Sequence, residues 1–234
     1  MKNIYRIAFL LLAICSMQLR ATAQDMMPLI KKVKAKLDKV NDYTASGSIK
    51  TDIAFIKAPI GKVTMYYKKP NKFKLKKNGG ISVLPKGGIS VNMNNILSEK
   101  DFVAISAGKQ MVGNFMTTVV KLIPTSEKSD VVLSTLYIDE VDSVIRKAVT
   151  TTKENGTYEI EMTYGKYLTY GLPSKLTFSF NTKDYKLPKG ITMEFGDEDR
   201  PSKEEKLKQK KGKVEITYTS YTINKGVADN VFNE

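Results

Sequence analysis

The stretch Thr150-Thr151-Thr152-Lys153-Glu154-Asn155-Gly156-Thr157-Tyr158-Glu159-Ile160-Glu161-Met162 decides the fold class. Polar and apolar residues alternate on both sides of Asn155-Gly156, and a period of two is the pattern of half-buried strands. Asn-Gly suits a two-residue type I′ turn, because both positions tolerate positive φ. That turn predicts Glu154 opposite Thr157, Thr151 opposite Ile160 and Val149 opposite Met162. Val149, Thr151, Ile160 and Met162 are then expected on one face, and Thr150, Thr152, Glu159 and Glu161 on the other.

The same alternation runs outward in both directions. Upstream, Tyr43, Ala45, Ile49, Thr51, Ile53 and Phe55 alternate with polar or small residues, as do Val63, Met65 and Tyr67, then Phe73 and Leu75. Gly-Ile-Ser-Val at 80–83 recurs at 88–91 around Leu84-Pro85-Lys86-Gly87, which predicts a hairpin. Downstream, strands are expected over 176–182, with Phe178 and Phe180 on one face, over 191–195 and over 214–223. Residues 197–211 carry six bases and five acids with Leu207 as the single large apolar residue. They read as a solvated loop. Ahead of all strands, Ile30, Val33, Leu37 and Val40 recur at helical spacing while Lys31, Lys32, Lys34, Lys36 and Lys39 fall largely elsewhere. This predicts one amphipathic helix with its apolar face on a sheet. The expected architecture is mainly β, a strongly curved antiparallel sheet or open barrel in one domain over 24–234.

Residues 1–23 have the form of a secretory signal. Lys2 and Arg6 precede the apolar run from Ile7 to Cys15, which is too short to span a bilayer, and Ala21-Thr22-Ala23 offers a cleavage site. The only cysteine, Cys15, lies inside this segment, in a context that departs from a lipobox because Ile14 is large. Export with cleavage after Ala23 is the expectation, and an outer-membrane lipoprotein anchored through Cys15 is the minor alternative.

Composition removes whole classes of chemistry. The 234-residue chain has no His and one Cys. Histidine-dependent triads, His-ligated metals, thiolate zinc sites and internal disulfides are therefore excluded. The net charge is +14, and loss of the first 23 residues, with three bases and no acid, leaves +11. Such a chain favours anionic partners. Lys68, Lys69, Lys72, Lys74, Lys76 and Lys77 crowd ten positions. They read as a solvated cationic strand face, with attraction to an anionic membrane surface as an added possibility. Nucleic acid is not expected as a partner, since only Arg146 and Arg200 follow the signal segment. Asp139, Glu140 and Asp142 do not match a Ca²⁺ loop and read as an acidic turn. Gly79-Gly80 and Gly87-Gly88 are not phosphate loops. Nothing specifies a catalytic set, a cofactor or a metal.

Ile49, Ile53, Phe55, Val63, Met65, Phe73, Leu75, Val149, Ile160, Met162, Phe178 and Phe180 point one way in this register. One short helix is not enough to cover so long a face. The sheet either closes on itself as a core or leaves an apolar cavity.

At Tyr66-Tyr67-Lys68-Lys69-Pro70-Asn71-Lys72-Phe73-Lys74-Leu75 the chain resembles periplasmic lipoprotein carriers of the LolA-like kind. That family shows a basic-basic-Pro-Asn-x-Phe segment after a helix and two strands. Leu136 to Asp139, Ile145 to Lys147, the Asn155-Gly156 hairpin and the segment from Tyr221 to Phe232, with Asp229 and Phe232, are similar to its later parts. The resemblance implies a half-open antiparallel barrel with a helical lid, whose apolar concavity holds acyl chains of lipoproteins crossing the periplasm. It implies no enzymatic activity, and a monomer that takes cargo from an inner-membrane release machinery to an outer-membrane acceptor. Ferrying acyl chains through water needs an apolar enclosure, since each CH₂ is worth about 0.8 kcal/mol. The chain departs from the family at Lys69, where the carriers place an arginine used in lid closure, and in the 197–211 insert. Related folds also serve as receptors and envelope sensors, so a sensor or accessory binding protein is the alternative reading.

Overall fold

The computed structural model describes residues 25–52, 60–77, 97, 102–181 and 211–233. Ten antiparallel strands form one sheet: β1 Asp42–Asp52, β2 Gly61–Lys68, β3 Lys72–Lys77, β4 Phe102–Val112, β5 Phe115–Pro124, β6 Val131–Asp139, β7 Val144–Thr152, β8 Gly156–Tyr164, β9 Pro173–Asn181 and β10 Lys211–Ile223. Their order is β3-β2-β1-β10-β9-β8-β7-β6-β5-β4. Neighbours in sequence are neighbours in space, except that β10 returns beside β1. β3 and β4 are the two edges, so the sheet is not closed into a barrel. Short antiparallel connections of this kind account for the absence of any βαβ unit among the described residues.

One helix, α1 Met27–Leu37, lies across the sheet. Pro28 sits in its first turn, where a missing N–H costs nothing. Lys34 and Lys36 in the last turn complement the helix dipole. Ile30 and Val33 are buried, and Val40, just past the helix, is buried too. The lysines between them face outward or lie half-buried. Burial of such side chains contributes about 1.5–3 kcal/mol each, which an isolated 11-residue helix would lack.

The core occupies one sheet face. Ala45, Ile49, Met65, Val120, Leu122, Leu136, Ile138, Ile160, Leu176, Phe178 and Ile216 are almost wholly buried there. β1 alternates as expected, with a register shift between Ser46 and Gly47. A Cβ at Gly47 would lie 2.3 Å from the Thr217 carbonyl oxygen, so only glycine lets β10 approach at the bulge.

The 150–162 hairpin forms, but in another register. Thr152 pairs with Gly156, Thr151 with Thr157, Thr150 with Tyr158, Val149 with Glu159 and Ala148 with Ile160. The turn spans Lys153, Glu154 and Asn155, and of Asn155 and Gly156 only Gly156 takes positive φ, at 79°. Three contacts explain the longer turn. Asn155 N–H donates to Thr152 Oγ1 at 3.1 Å, Lys153 N–H to the Asp130 carbonyl at 2.8 Å, and Glu154 N–H to the Asp130 carboxylate at 3.2 Å. The shift of three residues is odd, so it exchanges faces on one strand. Val149 and Thr151 therefore leave the face of Ile160 and Met162, and Ala148, Thr150 and Thr152 take their places. Buried Thr150 meets Ser134 hydroxyl to hydroxyl at 2.9 Å.

Ile53, Phe55, the 80–91 repeat, the expected 191–195 strand, residues 197–210 of the expected loop and the 1–23 signal segment lie outside the described residues, while Lys211, the last residue of that expected loop, opens β10. α1 is the only α-helix longer than a single turn among those described.

Candidate functional site

Between α1 and the sheet lies a cavity of about 50 Å³. Val33, Leu37 and Val40 cover it, Tyr43 and Tyr67 come from β1 and β2, and Ile145, Met162, Tyr164, Leu172 and Leu176 form the rest of the apolar wall. Lys36 and Ser143 are its polar rim. For scale, a dry protein cavity that admits benzene has roughly 150 Å³. In this conformation the space is about a third of that, too small for an acyl chain.

The fastenings of α1 are concentrated at its C-terminal end. Lys69 Nζ donates to the Asp38 carbonyl at 2.8 Å and lies 3.4 Å from its carboxylate. Lys36 Nζ donates to the Asp142 carbonyl. Leu37 packs on Gly171, where a Cβ would stand 3.1 Å from the leucine methyl. Burial by itself would raise the Asp38 carboxyl, but the hydrogen bond and charge of Lys34, with Lys69, outweigh it and hold the group below its usual 3.8.

The neighbouring lysines of the basic run are also engaged. Lys68 and Lys72 both reach Asp229 Oδ1, at 3.0 and 2.8 Å, and fasten the turn Asp229–Phe232 against β3. Lys72 Nζ lies 6.0 Å from the Phe232 ring centroid. Hydrogen bonds from Lys72 and Lys68 lower the Asp229 carboxyl below its ordinary value. Lys74 and Lys76 have partners too. Lys68, Lys69 and Lys72 stay exposed or half-exposed, as a solvated cationic face requires, and in addition tie the β2–β3 hairpin to Asp38 and Asp229, 31 to 161 residues away in sequence.

A tyrosine cluster supports the floor. Tyr43 stacks on Tyr67 at 5.3 Å, Tyr221 meets Tyr43 edge-on at 5.4 Å and Tyr167 at 4.8 Å, and Tyr218 stacks on Tyr221 at 5.0 Å. Tyr221 donates its hydroxyl to the Pro173 carbonyl at 2.9 Å. Burial pushes Tyr158 up to about 12 and raises Tyr164, Tyr218 and Tyr221 further. These hydroxyls stay protonated at any physiological pH.

The acidic turn at 139–142 has an internal cation. Arg146, almost wholly buried, donates from Nε and Nη2 to Asp139 Oδ2 at 3.1 and 2.7 Å and from Nη2 to Asp142 Oδ2 at 2.7 Å. Its guanidinium lies 3.6 Å from the Phe115 ring centroid. The turn so held presents Ser143, Val144 and Ile145 to the cavity and the Asp142 carbonyl to Lys36. Among the described residues no group of three His, Cys, Asp or Glu side chains is placed to hold a metal.

Of the residues expected to line a site, Met162 does line the cavity. Ile49, Val63, Met65, Ile160, Phe178 and Phe180 are buried in the continuous core of the same face, and Phe73 and Leu75 pack half-buried against it. Lys69 stands outside the cavity at the end of α1. Val149 is on the opposite face, and Ile53 and Phe55 are not described. The lining tyrosines and Leu172 were not singled out. Inward-facing Tyr43 and Tyr67 had the signal, an alternation with polar residues, but a hydroxyl hides a tyrosine's apolar ring from a hydrophobicity count.

No family model and no curated relative matches the chain. Its fold is similar to solved structures. A LolA superfamily protein from Nitrosomonas europaea superposes with a TM-score of 0.55 at 8% identity, over 91% of this chain and 99% of that one. A DUF1329 family protein from Desulfovibrio piger gives 0.52 at 9% identity, over 89% and 97%. A domain described as an outer membrane lipoprotein-sorting protein, from Vibrio parahaemolyticus, gives 0.48 at 11% identity, over 88% and 95%. The chain has a LolA-like fold: an open antiparallel sheet with a helix on its apolar face.

Proposed function

We propose that the protein is a non-enzymatic periplasmic carrier that binds acyl chains of lipoproteins beneath α1 and delivers them toward the outer membrane. The observation that carries the reading is the apolar face of an unclosed sheet covered by α1, with a cavity already present between them. The LolA-like fold supports it. So does the export pattern of residues 1–23. Among the described residues no helix is long and apolar enough to cross a membrane. In this reading cleavage follows Ala23, and the partners are acylated lipoproteins, a release machinery in the inner membrane and an acceptor in the outer membrane.

Cargo enters as α1 moves off the tyrosine floor and the 50 Å³ space widens. The cavity lies under the C-terminal half of α1, so widening it requires the contacts of Lys69 with Asp38 and of Lys36 with the Asp142 carbonyl to release. Native mass spectrometry of the protein purified from its own envelope tests this. The expected spectrum has a chain starting at Gln24 and an adduct of lipid or lipoprotein mass. A bare chain whose mass is unchanged by a triacylated lipopeptide overturns the carrier reading and makes the apolar face a closed core, as a sensor would have.

A further inference from the structure

The β6–β7 turn, exposed at Val141, is held from the inside by a buried carboxylate. Asp139 uses both of its oxygens. Oδ1 accepts the backbone N–H groups of Val141 and Asp142 at 3.0 and 3.2 Å. Oδ2 accepts Nε and Nη2 of Arg146, and the same Nη2 reaches Asp142 Oδ2. Arg146 is itself packed against two rings. Its guanidinium lies 3.6 Å from the centroid of Phe115, at the tip of β4–β5, and 5.3 Å from that of Tyr164. Ser143, the next residue of the turn, has φ 50°, a left-handed conformation that a serine keeps only where its surroundings impose it.

Asp142 is therefore pinned at its N–H and at its carboxylate. Its carbonyl is the acceptor for Lys36 of α1, a half-buried side chain at the edge of the cavity. The residues that follow, Ser143 to Ile145, line the cavity. Tyr164, in the same wall, donates its hydroxyl to the Ile145 carbonyl at 2.8 Å. The fork of one arginine thus sets the position of a cavity wall and of the acceptor that fastens its cover. The other fastening, Lys69 on Asp38, shares none of these groups.

We infer that Arg146 is a positioning residue for the opening of the cavity: by clamping the β6–β7 turn through Asp139 and Asp142, it holds the Asp142 carbonyl where Lys36 fastens α1. The inference rests on the reading that cargo enters beneath α1, and it assigns control of that entry to a side chain that does not itself line the cavity.

Amide exchange, read at Leu37 and Asp38 and in β1 and β8, tests it. Lys36→Met keeps the aliphatic stem and removes the ammonium. Asp142→Ala removes the partly exposed carboxylate by which Arg146 holds Asp142, and leaves the buried Asp139 pair in place. Each should raise local opening at the end of α1 about tenfold, with protection in β1 and β8 unchanged. The double variant should open no further than the single ones, because both changes remove the same contact. Lys69→Ala added to Asp142→Ala should multiply the effect. Lys36→Arg, which still donates to a carbonyl, should keep the wild-type protection. Should Asp142→Ala melt early, Arg146→Lys repeats the test, since lysine keeps a cation beside Asp139 but has no planar fork. Unchanged exchange in α1 overturns the inference. So do effects of Lys36→Met and Asp142→Ala that multiply, or protection lost across β1 and β8 together with α1. Uptake of a triacylated lipopeptide separates the two readings. Faster opening of α1 in the variants, with no uptake by any form, removes the carrier and leaves the clamp. Uptake by the wild type, with α1 opening alike in wild type and variants, removes the clamp and leaves the carrier.

Discussion

The two edge ribbons of the sheet treat the same kind of residue in opposite ways. β2–β3 and β4–β5 stand at opposite ends of the strand order, and both carry lysine among apolar residues. In β2–β3 the apolar row is turned inward, with Met65 and Tyr67 buried, and Lys68, Lys69 and Lys72 are bound to Asp229 and Asp38. In β4–β5 Val103, Ile105, Met111, Phe115, Met116 and Ile123 are exposed, and no acid lies within the hairpin. The difference teaches that lysine density alone does not locate a binding surface. In the dense run three lysines close ion pairs across the molecule, whereas Lys109 and Lys121 stay exposed.

The largest effect is expected at the buried ion pair beneath the β4–β5 tip. Arg146→Ala would leave Asp139 buried without its cation and cost about 3–5 kcal/mol, seen as a lower urea midpoint. A value below 1 kcal/mol would mean that the rim is not held by this pair. Met65→Ala and Met111→Ala form a matched pair across the comparison. The first should cost about 2–5 kcal/mol and the second stay within about 0.5 kcal/mol in the same denaturation experiment. Equal costs would break the contrast between a closed and an open ribbon.

Lys69→Ala removes a half-exposed ion pair and should cost no more than about 1 kcal/mol. Its expected consequence is impaired lipopeptide transfer, because the end of α1 loses its anchor; transfer at the wild-type rate would remove Lys69 from the site. The smallest effect is that of pH. Asp38 and Asp229 have carboxyl groups lowered below 3.8 in the folded chain, so their lysine contacts contribute fully above that value and are lost as pH falls through the lowered ones. Amide protection factors at the end of α1 and at 229–232 should be flat from neutrality to about pH 5 and fall only in stronger acid. A fall near neutrality would show that these pairs do not hold the two segments.

Much of the fold was legible because burial imposes a period. The α1 helix, the alternation of β1 and β2, the Phe178–Phe180 face and the location of the 150–162 hairpin all follow from it. The hairpin register did not, because Asp130, twenty-four residues from Glu154, captures the turn and lengthens it. β4 and β5 went unread although Gly113-Asn114 between apolar runs was a usable turn signal. Their apolar residues are exposed, and β4 is interrupted by the register shift between Ser106 and Lys109, so alternation there does not mark a core. The acidic turn was legible as a turn, but not its pairing with Arg146, which depends on two strand ends meeting.

By itself the sequence determined the chemistry that is absent and the architecture that is present. A chain without histidine has no imidazole catalysis, and strands with one apolar face must form a sheet that buries it. Only the tertiary structure decided which side chains share the space under α1, which lysines are spent on Asp38 and Asp229, and which apolar residues remain in water. The physical reason is that periodicity acts between near neighbours, whereas ion pairs, cavities and exposed tips depend on distances between residues that the chain brings together only when folded.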